Sequence, residues 1–569
     1  MTFPEQWIPR SITSLRDYNA TRLVQDCIAG ITVGLVALPL AMAFGIASGV
    51  TPQAGIYTAV VAGFIISALG GSRTQIGGPT GAFVVIVAGI VARFGMSGLG
   101  LVTVMAGLML IVMGATGLGT AVRFIPRPVV IGFTNGIALL IASTQIKDFL
   151  GLSTPAVPSE FLPRLQLLAE HLGTVRWQTV TISLVSLAMI LAIPRFAPRI
   201  PGSIIALFAG TLAVALFHLP VETIGSKFGG IPQGFPAFAL PHFRAVHVIP
   251  LLPSAFTVAM LAAVESLLSA VVADGMTGDR HNSNMELVAQ GAANLFSPLF
   301  GGIPATGAIA RTATNIRSGA RTPVSGMVHA LTLLTILLVA APLARFVPLA
   351  TLAAVLFVVS YNMGEWREIG SILKLSAADI AVWITTFALT VFADLTVAVG
   401  VGMALAALLY IYRIAETTTV AAVTREYLTE GMAHTLQDKE IPPNTTILRI
   451  HGPFLFGTTE KLIEATSDLK ALDKIVILRL RNMTAIDATG LHAIEQLARR
   501  LHASGRTLLI CGAREQPAKF LARADFVDHV GKENIVPHVR AALDRASVIN
   551  STFKVHRSSE EHMSPAVDH

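Results

Sequence analysis

The chain has 569 residues, of which 53% are hydrophobic and only 13% charged, and its mean hydropathy is +0.67. A soluble protein would carry about a quarter charged residues, so this composition excludes a soluble protein. The net charge of +7 comes with no basic patch interleaved with aromatic residues, so we expect no nucleic-acid partner. The two cysteines, Cys27 and Cys511, fall in different regions, and we expect no disulfide, no metal site and no cofactor.

Fourteen apolar segments fill the chain between residues 23 and 415. The segment before them, 1–22, is polar and carries no signal-peptide core, so we expect it to remain uncleaved in the cytoplasm. Together the segments predict a polytopic α-helical membrane protein with fourteen spans. Their approximate bounds are 23–49, 53–70, 79–93, 98–118, 128–146, 177–194, 202–219, 250–273, 285–300, 304–317, 323–342, 348–361, 377–393 and 395–412.

Arginine and lysine are unevenly shared between the connections. If the N-terminus is inside, the cytoplasmic connections hold residues such as Arg73, Arg127 and Arg317, and the opposite short connections hold fewer. Because positive charge marks the cytoplasmic side, we expect a multi-pass protein of the cell inner (plasma) membrane. Fourteen spans return the chain to its starting side, so both termini are expected in the cytoplasm.

A motif inside the apolar region occurs twice. Gly301–Arg311 holds three glycines, a proline and a threonine, and a near copy, Gly77–Ala82, lies 225 residues earlier, counted from Pro79 to Pro304. Seven segments lie in each half, about 23–222 and 250–415, and an odd number of spans inverts the second copy. We therefore expect half-helices in spans 3 and 10 that face each other at mid-membrane, as in the binding site of a secondary transporter.

Facing helix N-termini would bind an anion through their unpaired N–H groups. Gly81 and Gly307 would let the ligand approach the backbone, and Thr80 and Thr306 could cap a helix or donate a hydrogen bond. Glycine and proline also kink and pack membrane helices, but two equally spaced copies favour a site. A buried arginine costs at least ~2.5–3.5 kcal/mol, so Arg311 should meet a partner or an anion unless it extends to the cytoplasmic surface.

Span 8 holds a single acidic residue in its apolar stretch. Glu265 shares a helix face with Ser269, and burial suits such a carboxyl to carry a proton or hold a cation. The alternative is a structural carboxyl bonded to a backbone amide of a broken helix. Phe44 could line the site, although apolar residues in spans usually only pack. His218 and His329 lie near span ends and are expected at the interface.

The sequence changes character after the last apolar segment. Strands predicted at 446–456, 474–480 and 507–511 alternate with helices at 458–470, 489–504, 514–524 and 534–546, which indicates a small α/β domain. We place a linker at 416–436, the domain at 437–550 and a disordered tail at 551–569. In the helix-capping turn Asp487–Gly490, the hydroxyl of Thr489 could also accept a phosphoryl group.

Two N-terminal stretches and the C-terminal domain carry a family resemblance. Asp26–Gly34 with Leu38-Pro39, and Thr51–Thr58, resemble the sulfate permease family, the bacterial relatives of solute carrier family 26, and residues 437–550 resemble its STAS domain. The resemblance implies seven-plus-seven inverted repeats divided into a core and a gate, and a homodimer. It also implies that four residues surround the anion: Phe44, Phe83, Glu265 and Arg311.

The resemblance also bears on coupling and modification. Sodium-dependent members place an aspartate and a threonine where this chain has Glu265 and Ser269, which favours H+ over Na+ as the coupling ion. Thr489 occupies the place of the serine that is phosphorylated in anti-sigma-factor antagonists.

These observations predict a secondary active transporter of a small anion that works by alternating access, and not an enzyme. The anion would bind next to Arg311, between two runs of backbone: Thr80, Gly81, Ala82, Phe83 and Thr306, Gly307, Ala308, Ile309. Residues 265–278 and 145–152 resemble a branch that transports C4-dicarboxylates, so proton-coupled uptake of succinate, fumarate or aspartate is predicted. Sulfate or bicarbonate is the alternative cargo. An anion channel, or a sensor that signals through the STAS domain to a cytosolic protein partner, is the alternative class.

Overall fold

The computed structural model describes residues 7–16, 18–120, 126–155, 157–158, 160–197, 201–239, 248–393, 395–422, 440–523 and 526–561. The chain divides into two compact units, residues 1–406 and 407–569, which are described in turn. The first six residues, residues 423–436 of the expected linker, and residues 562–569 of the expected tail lie outside the described residues.

The first unit consists of helices and two short strands, β1 and β2, in its described residues. The elements are α1 Arg10–Leu15, α2 Ala20–Ala47, α3 Pro52–Leu69, β1 Gly77–Gly78, α4 Gly81–Ala115, α5 Arg127–Leu150, α6 Phe161–Glu170, α7 Trp177–Phe196, α8 Gly202–Phe217, α9 Ile224–Phe228, α10 Val248–Thr277, α11 Ser283–Phe296, β2 Thr306–Gly307, α12 Ile309–Arg317, α13 Val324–Ala340, α14 Leu349–Met363, α15 Trp366–Ile372 and α16 Ala377–Phe392. A further helix, α17 Leu395–Thr417, continues into the second unit.

Each of the fourteen apolar segments of the sequence falls on one of these helices. Among the described residues, nine helical stretches are long and apolar enough to cross a membrane. The helical membrane domain is therefore confirmed, whereas the number of spans stays a prediction.

The long helix α4 covers two of the predicted segments. Its backbone leaves the helical region at Gly95, where φ is 67° and ψ is −174°. A side chain strains this left-handed conformation, which glycine adopts at little cost. Gly95 thus divides α4 between segments 79–93 and 98–118, where the sequence analysis separated spans 3 and 4.

The helices of the first unit pack in two groups. One group contains α2, α3, α4, α10, α11, α12 and α13, and the other contains α5, α7, α8, α14 and α16. In the first group, α4 and α11 approach so closely at Gly107 and Gly291 that a Cβ atom on either glycine would lie within 2.7 Å of the other's carbonyl oxygen. Small residues at such crossings let helix backbones touch. The two groups correspond to the expected core and gate.

A fully buried carboxylate, Asp26 in α2, fixes the loop between α12 and α13. Its Oδ1 accepts hydrogen bonds from the backbone N–H groups of Arg321 at 2.7 Å and Thr322 at 3.1 Å. Its Oδ2 accepts from the Thr322 hydroxyl at 2.5 Å and the Tyr18 hydroxyl at 3.1 Å. One side chain therefore stabilises the end of the half-helix α12.

We expect Asp26→Ala to lower the free energy of unfolding by about 3 kcal/mol, because it leaves several buried donors without an acceptor. The measurement is thermal unfolding of the purified protein in detergent. Asp279→Ala is the control, since Asp279 pairs with Arg73 at a more exposed position and should contribute at most about 1 kcal/mol. Equal shifts in the two variants would contradict this role of Asp26.

His329 was expected at the membrane interface, and that prediction is wrong. The residue lies in α13 with 0% of its surface exposed, and neither ring nitrogen has a hydrogen-bond partner among the described residues. The imidazole packs near Gly63 of α3, whose missing side chain makes room for the ring. The position of His329 along its span did not predict this burial. The burial depends on which neighbouring helix leaves room for the imidazole ring.

The second unit is an α/β domain. Its strands are β3 Thr419–Ala422, β4 Thr445–Phe454, β5 Ile475–Ile486, β6 Thr507–Cys511 and β7 Ile535–Val536, and its helices are α18 Thr459–Ala465, α19 Ala488–Ala503, α20 Glu515–Arg523, α21 Val527–Val530 and α22 Val539–Glu561. The sheet order is β3-β4-β5-β6-β7, with β3 antiparallel to β4 and the other pairs parallel. Helices α18 to α20 cover one face and α22 covers the other.

Three details of this domain differ from the sequence analysis. Strand β3 lies within the expected linker and adds an edge to the sheet. The helix expected at 534–546 begins only at Val539, because Ile535-Val536 pairs with β6 as a strand and Pro537 follows it. The same helix continues to Glu561, so residues 551–561 of the expected disordered tail are helical.

Candidate functional site

The two repeated motifs meet in a short antiparallel sheet. β1 pairs with β2 so that Gly77 lies opposite Gly307 and Gly78 opposite Thr306. Helix α4 begins three residues after β1, at Gly81, and α12 begins two residues after β2, at Ile309. The sheet therefore brings the N-termini of both half-helices to one place.

Glycine is required in this sheet because other groups pack directly against its backbone. A Cβ atom on Gly307 would overlap the side chain of Gln75 and lie 3.1 Å from the Cα atom of Ser266. On the opposite strand, Gly78 has a φ of 147°, and a Cβ atom there would lie 2.8 Å from Nη1 of Arg311. The glycines thus allow α10, β1, β2 and the arginine to pack together.

A cavity of about 280 Å³ lies in front of the two helix N-termini. Residues from α2, α4, α5, α10, α12 and α14 line it. They include eight of the residues singled out from the sequence: Phe44, Thr80, Gly81, Ala82, Glu265, Ala308, Ile309 and Arg311.

Both helix N-termini present unbonded donors to this cavity. Among the described residues, the backbone N–H groups of Gly81, Ala82, Ile309 and Ala310 make no hydrogen bond. The first N–H groups of a helix have no partner inside the helix and favour a negative charge. The cavity therefore offers four donors to an anion.

Arg311 adds a positive charge to the cavity. Only 3% of the residue is exposed, and its Nη2 donates a hydrogen bond to the carbonyl oxygen of Pro79. Its Nη1 is buried and has no partner within the residues that the structure describes. A buried guanidinium with an unused donor favours an anionic partner, and Arg311 is one of the residues that line the cavity.

Glu265 contacts the start of α4 directly. Its Oε2 accepts a hydrogen bond of 2.9 Å from the hydroxyl of Thr80, the residue that precedes α4. The Thr80 side chain makes no capping hydrogen bond to the helix, so the N–H groups of Gly81 and Ala82 remain available. The hydroxyl of Thr80 thus connects the ionisable carboxyl of Glu265 to the N-terminus of α4, where the anion-binding N–H groups lie.

Four of the residues predicted to form the site lie outside the cavity lining. Phe83 is packed in the apolar core, and Gly307 lies within β2. The hydroxyl of Thr306 donates to the carbonyl oxygen of Ala262, and that of Ser269 donates to Thr312 at 3.1 Å. Thr306 and Ser269 therefore attach the half-helix α12 and its strand to α10.

Gln75 and Thr312 escaped the sequence analysis although each stabilises the site. Gln75 donates to the carbonyl oxygen of Ser266 at 3.1 Å, and Thr312 accepts from the backbone N–H of Ile76 at 3.0 Å. Both adjoin the repeated motifs, and a polar residue at such a position in an apolar region was the available signal. Glu365, which follows α14 and also lines the cavity, was not identified from the sequence either.

Thr489 lies in the second unit, in the first turn of α19. The preceding Asp487 is the N-cap, and its carboxylate accepts hydrogen bonds from the N–H groups of Gly490 at 2.8 Å and Phe456 at 3.0 Å. The predicted capping turn is confirmed. Thr489 itself is exposed, and its modification stays a prediction.

Comparisons with known proteins agree with this architecture. Residues 23–386 match the model of the sulfate permease family, and residues 437–542 match that of the STAS domain. The "Putative sulfate transporter YvdB" of Bacillus subtilis is 41% identical and aligns over 92% of this chain and 98% of its own. The bicarbonate transporter BicA of Picosynechococcus is 32% identical over 92% of this chain and 94% of its own.

Two solved structures are similar to this one. The transmembrane domain of a cyanobacterial bicarbonate transporter BicA matches 67% of this chain and 99% of its own at 35% identity, with a TM-score of 0.62. The murine solute carrier 26 family member A9 matches 95% of this chain and 94% of its own with a TM-score of 0.84. Its identity is 17%, so that match concerns the fold alone.

Proposed function

The chain belongs to the sulfate permease family of anion transporters, and from that premise we propose that it is a secondary transporter that moves one small anion by alternating access between its two helix groups. The observation that carries the proposal is that one cavity is lined by the buried cation Arg311 and by four residues at helix N-termini whose N–H groups make no hydrogen bond among the described residues. These groups can donate hydrogen bonds to one anion and offset its negative charge without a bound cofactor.

Sulfate and bicarbonate are the cargoes that the relatives support, because one relative is named for each. A C4-dicarboxylate such as succinate, fumarate or aspartate is a second candidate. It is favoured by two facing helix N-termini, which could each bind one carboxylate, and by a cavity of about 280 Å³, which exceeds the need of one tetrahedral anion.

A competition experiment separates the cargoes. The protein is reconstituted in liposomes with labelled sulfate, and unlabelled sulfate, succinate, bicarbonate and chloride are added in turn. The proposed inorganic cargo predicts strong competition by sulfate or bicarbonate, whereas strong competition by succinate alone would transfer the assignment to C4-dicarboxylates. If the protein instead passed many ions per opening and showed no saturable uptake of any of these anions, it would be assigned as a channel and not as a transporter.

We further propose H+ as the coupling ion and Glu265 as the group that carries it. The carboxyl lies at the cavity and bonds to Thr80, so its protonation can respond to the anion. Na+ is less suitable, because the hydroxyl of Ser269 is bonded to Thr312 and does not line the cavity.

The placement in the inner (plasma) membrane, with both termini in the cytoplasm, and the homodimer are also proposals. They agree with the distribution of arginine and with the family. Reporter fusions at the two termini test the orientation. At both termini, a reporter that is active only in the cytoplasm should be active. A cytosolic protein partner and phosphorylation at Thr489 would act through the STAS domain.

A further inference from the structure

The transport cavity is lined by one acidic residue to which the proposed mechanism gives no role, Glu365. Three charged residues line this cavity among the described residues. Glu265 and Arg311 lie in α10 and α12 of the core group, whereas Glu365 follows α14 of the gate group. Glu365 is therefore the one charged residue that the gate group contributes to the described lining, and its charge is the same as that of the cargo.

The backbone of Glu365 adopts a conformation that disfavours a side chain. Its φ is 43° and its ψ is 36°, in the left-handed region that glycine adopts at little cost. The chain has a glycine at the preceding position, Gly364, but a glutamate at the strained one. Strain that is retained beside a cavity indicates that the side chain it holds has a function there.

Three helices of the gate group hold the turn that carries Glu365. Asn135 of α5 is 0% exposed and donates a side-chain N–H to the carbonyl oxygen of Gly364. Its Oδ1 accepts a hydrogen bond of 3.0 Å from the indole N–H of Trp383 in α16. The indole of Trp366 in α15 lies so close that a Cβ atom on Gly364 would be 2.3 Å from it. The peptide before Glu365 is thus fixed to the gate.

The neighbours of Glu365 indicate which end of the cavity it occupies. Three residues further along, Glu368 pairs with Arg127 at 2.8 Å, at the first residue of α5. Arg127 is one of the residues that the charge distribution assigns to the cytoplasmic side. Glu365 is exposed to solvent, so water can hydrate its carboxylate. In the proposed orientation, an anion that leaves Arg311 for the cytoplasm therefore passes a negative charge.

We propose that Glu365 sets the charge selectivity of the cavity and promotes release of the anion on the cytoplasmic side. The inference rests on the proposed function. Because the anion-binding groups belong to the core and Glu365 to the gate, movement of one group past the other changes the distance between this charge and the anion. Coulomb energy is proportional to the product of the charges, so a dianion is repelled twice as strongly as a monoanion. Glu365 thus favours a monoanion such as bicarbonate over a dianion such as sulfate.

The test is calorimetric titration of the purified full chain with sulfate and, separately, with bicarbonate. Glu365→Gln retains the shape of the side chain and removes its charge. A hydrated charge several ångströms away changes the Kd of a monoanion by about threefold, and doubling the charge of the anion squares that factor. We therefore expect the variant to bind bicarbonate about threefold more tightly and sulfate about tenfold more tightly. Glu365→Asp retains the charge and should keep both Kd values within about twofold of the unaltered protein.

The matched control is Glu368→Gln, which changes the net charge by the same amount on the same helix but at a residue that does not line the cavity. Both Kd values should stay within about twofold. Equal effects of the two variants, or an equal factor for both anions in Glu365→Gln, would overturn the proposal. Loss of binding in Arg311→Gln together with unchanged Kd values in Glu365→Gln would leave the proposed function in place and refute only this inference. Binding of neither anion by the unaltered protein would refute both.

Discussion

Arg311→Gln should lower kcat/KM for anion uptake at least about 100-fold. Arg311 supplies the only cationic side chain among the described residues that line the transport cavity, and one charge-assisted hydrogen bond contributes about 1.5–3 kcal/mol. Losing the charge and its unused donor together removes the main attraction for the anion. Initial rates of uptake into liposomes, measured over a range of anion concentrations, give the change.

Two variants interpret that result. Arg317→Gln removes the same charge from the exposed end of α12, and we expect uptake within about threefold of the unaltered protein. Arg311→Lys retains the charge but loses the paired geometry, so an intermediate rate is expected. If Arg311→Gln unfolded at the same temperature as the unaltered protein and still transported at a similar rate, the anion would bind elsewhere.

Glu265→Gln should abolish proton-driven accumulation while leaving anion exchange in place. The amide oxygen can still accept the hydrogen bond from Thr80, but the side chain can no longer gain or lose a proton. With the membrane potential clamped at zero, one coupled proton and a gradient of about one pH unit sustain about a tenfold anion gradient. In the variant this accumulation should fall to none.

The control for Glu265 addresses its bond to Thr80. Thr80→Val removes the hydroxyl and leaves the carboxyl ionisable, so accumulation should persist at a reduced rate. The pH dependence of uptake provides a second measurement: it should flatten in Glu265→Gln and remain in Thr80→Val. Full accumulation by Glu265→Gln would assign coupling to another group.

The half-helices could be predicted because glycine and proline are costly inside membrane helices, and finding them twice at one spacing indicates a shared purpose. The residue at which each half-helix begins could not be predicted. The sequence aligns Thr306-Gly307 with Thr80-Gly81, yet α12 begins two residues later in its motif than α4 does. Thr306 therefore lies in an extended segment and bonds to α10, whereas Thr80 faces the cavity.

Buried polar partners far apart in the sequence were also beyond prediction. Asp26 and Thr322 are separated by 296 positions, and Glu286 accepts a hydrogen bond from the backbone of Gly71, 215 positions away. In the sequence alone, each carboxylate is an unfavourable charge in an apolar region with no visible partner. Only the packing of α2 beside α13, and of α11 beside α3, supplies the donors that make it stable.

The small sheet of β1 and β2 bears on the rate of the proposed transport. Its strands are bonded to each other, and both are attached to α10 through Thr306 and Gln75. We expect ends fastened in this way to move as one body, so that under the proposed alternating access each movement carries one anion. The transport rate is then limited by how often this group of helices moves, which is a slow collective motion. We expect the rate to rise steeply with temperature, whereas the current through an open aqueous pore rises only slightly.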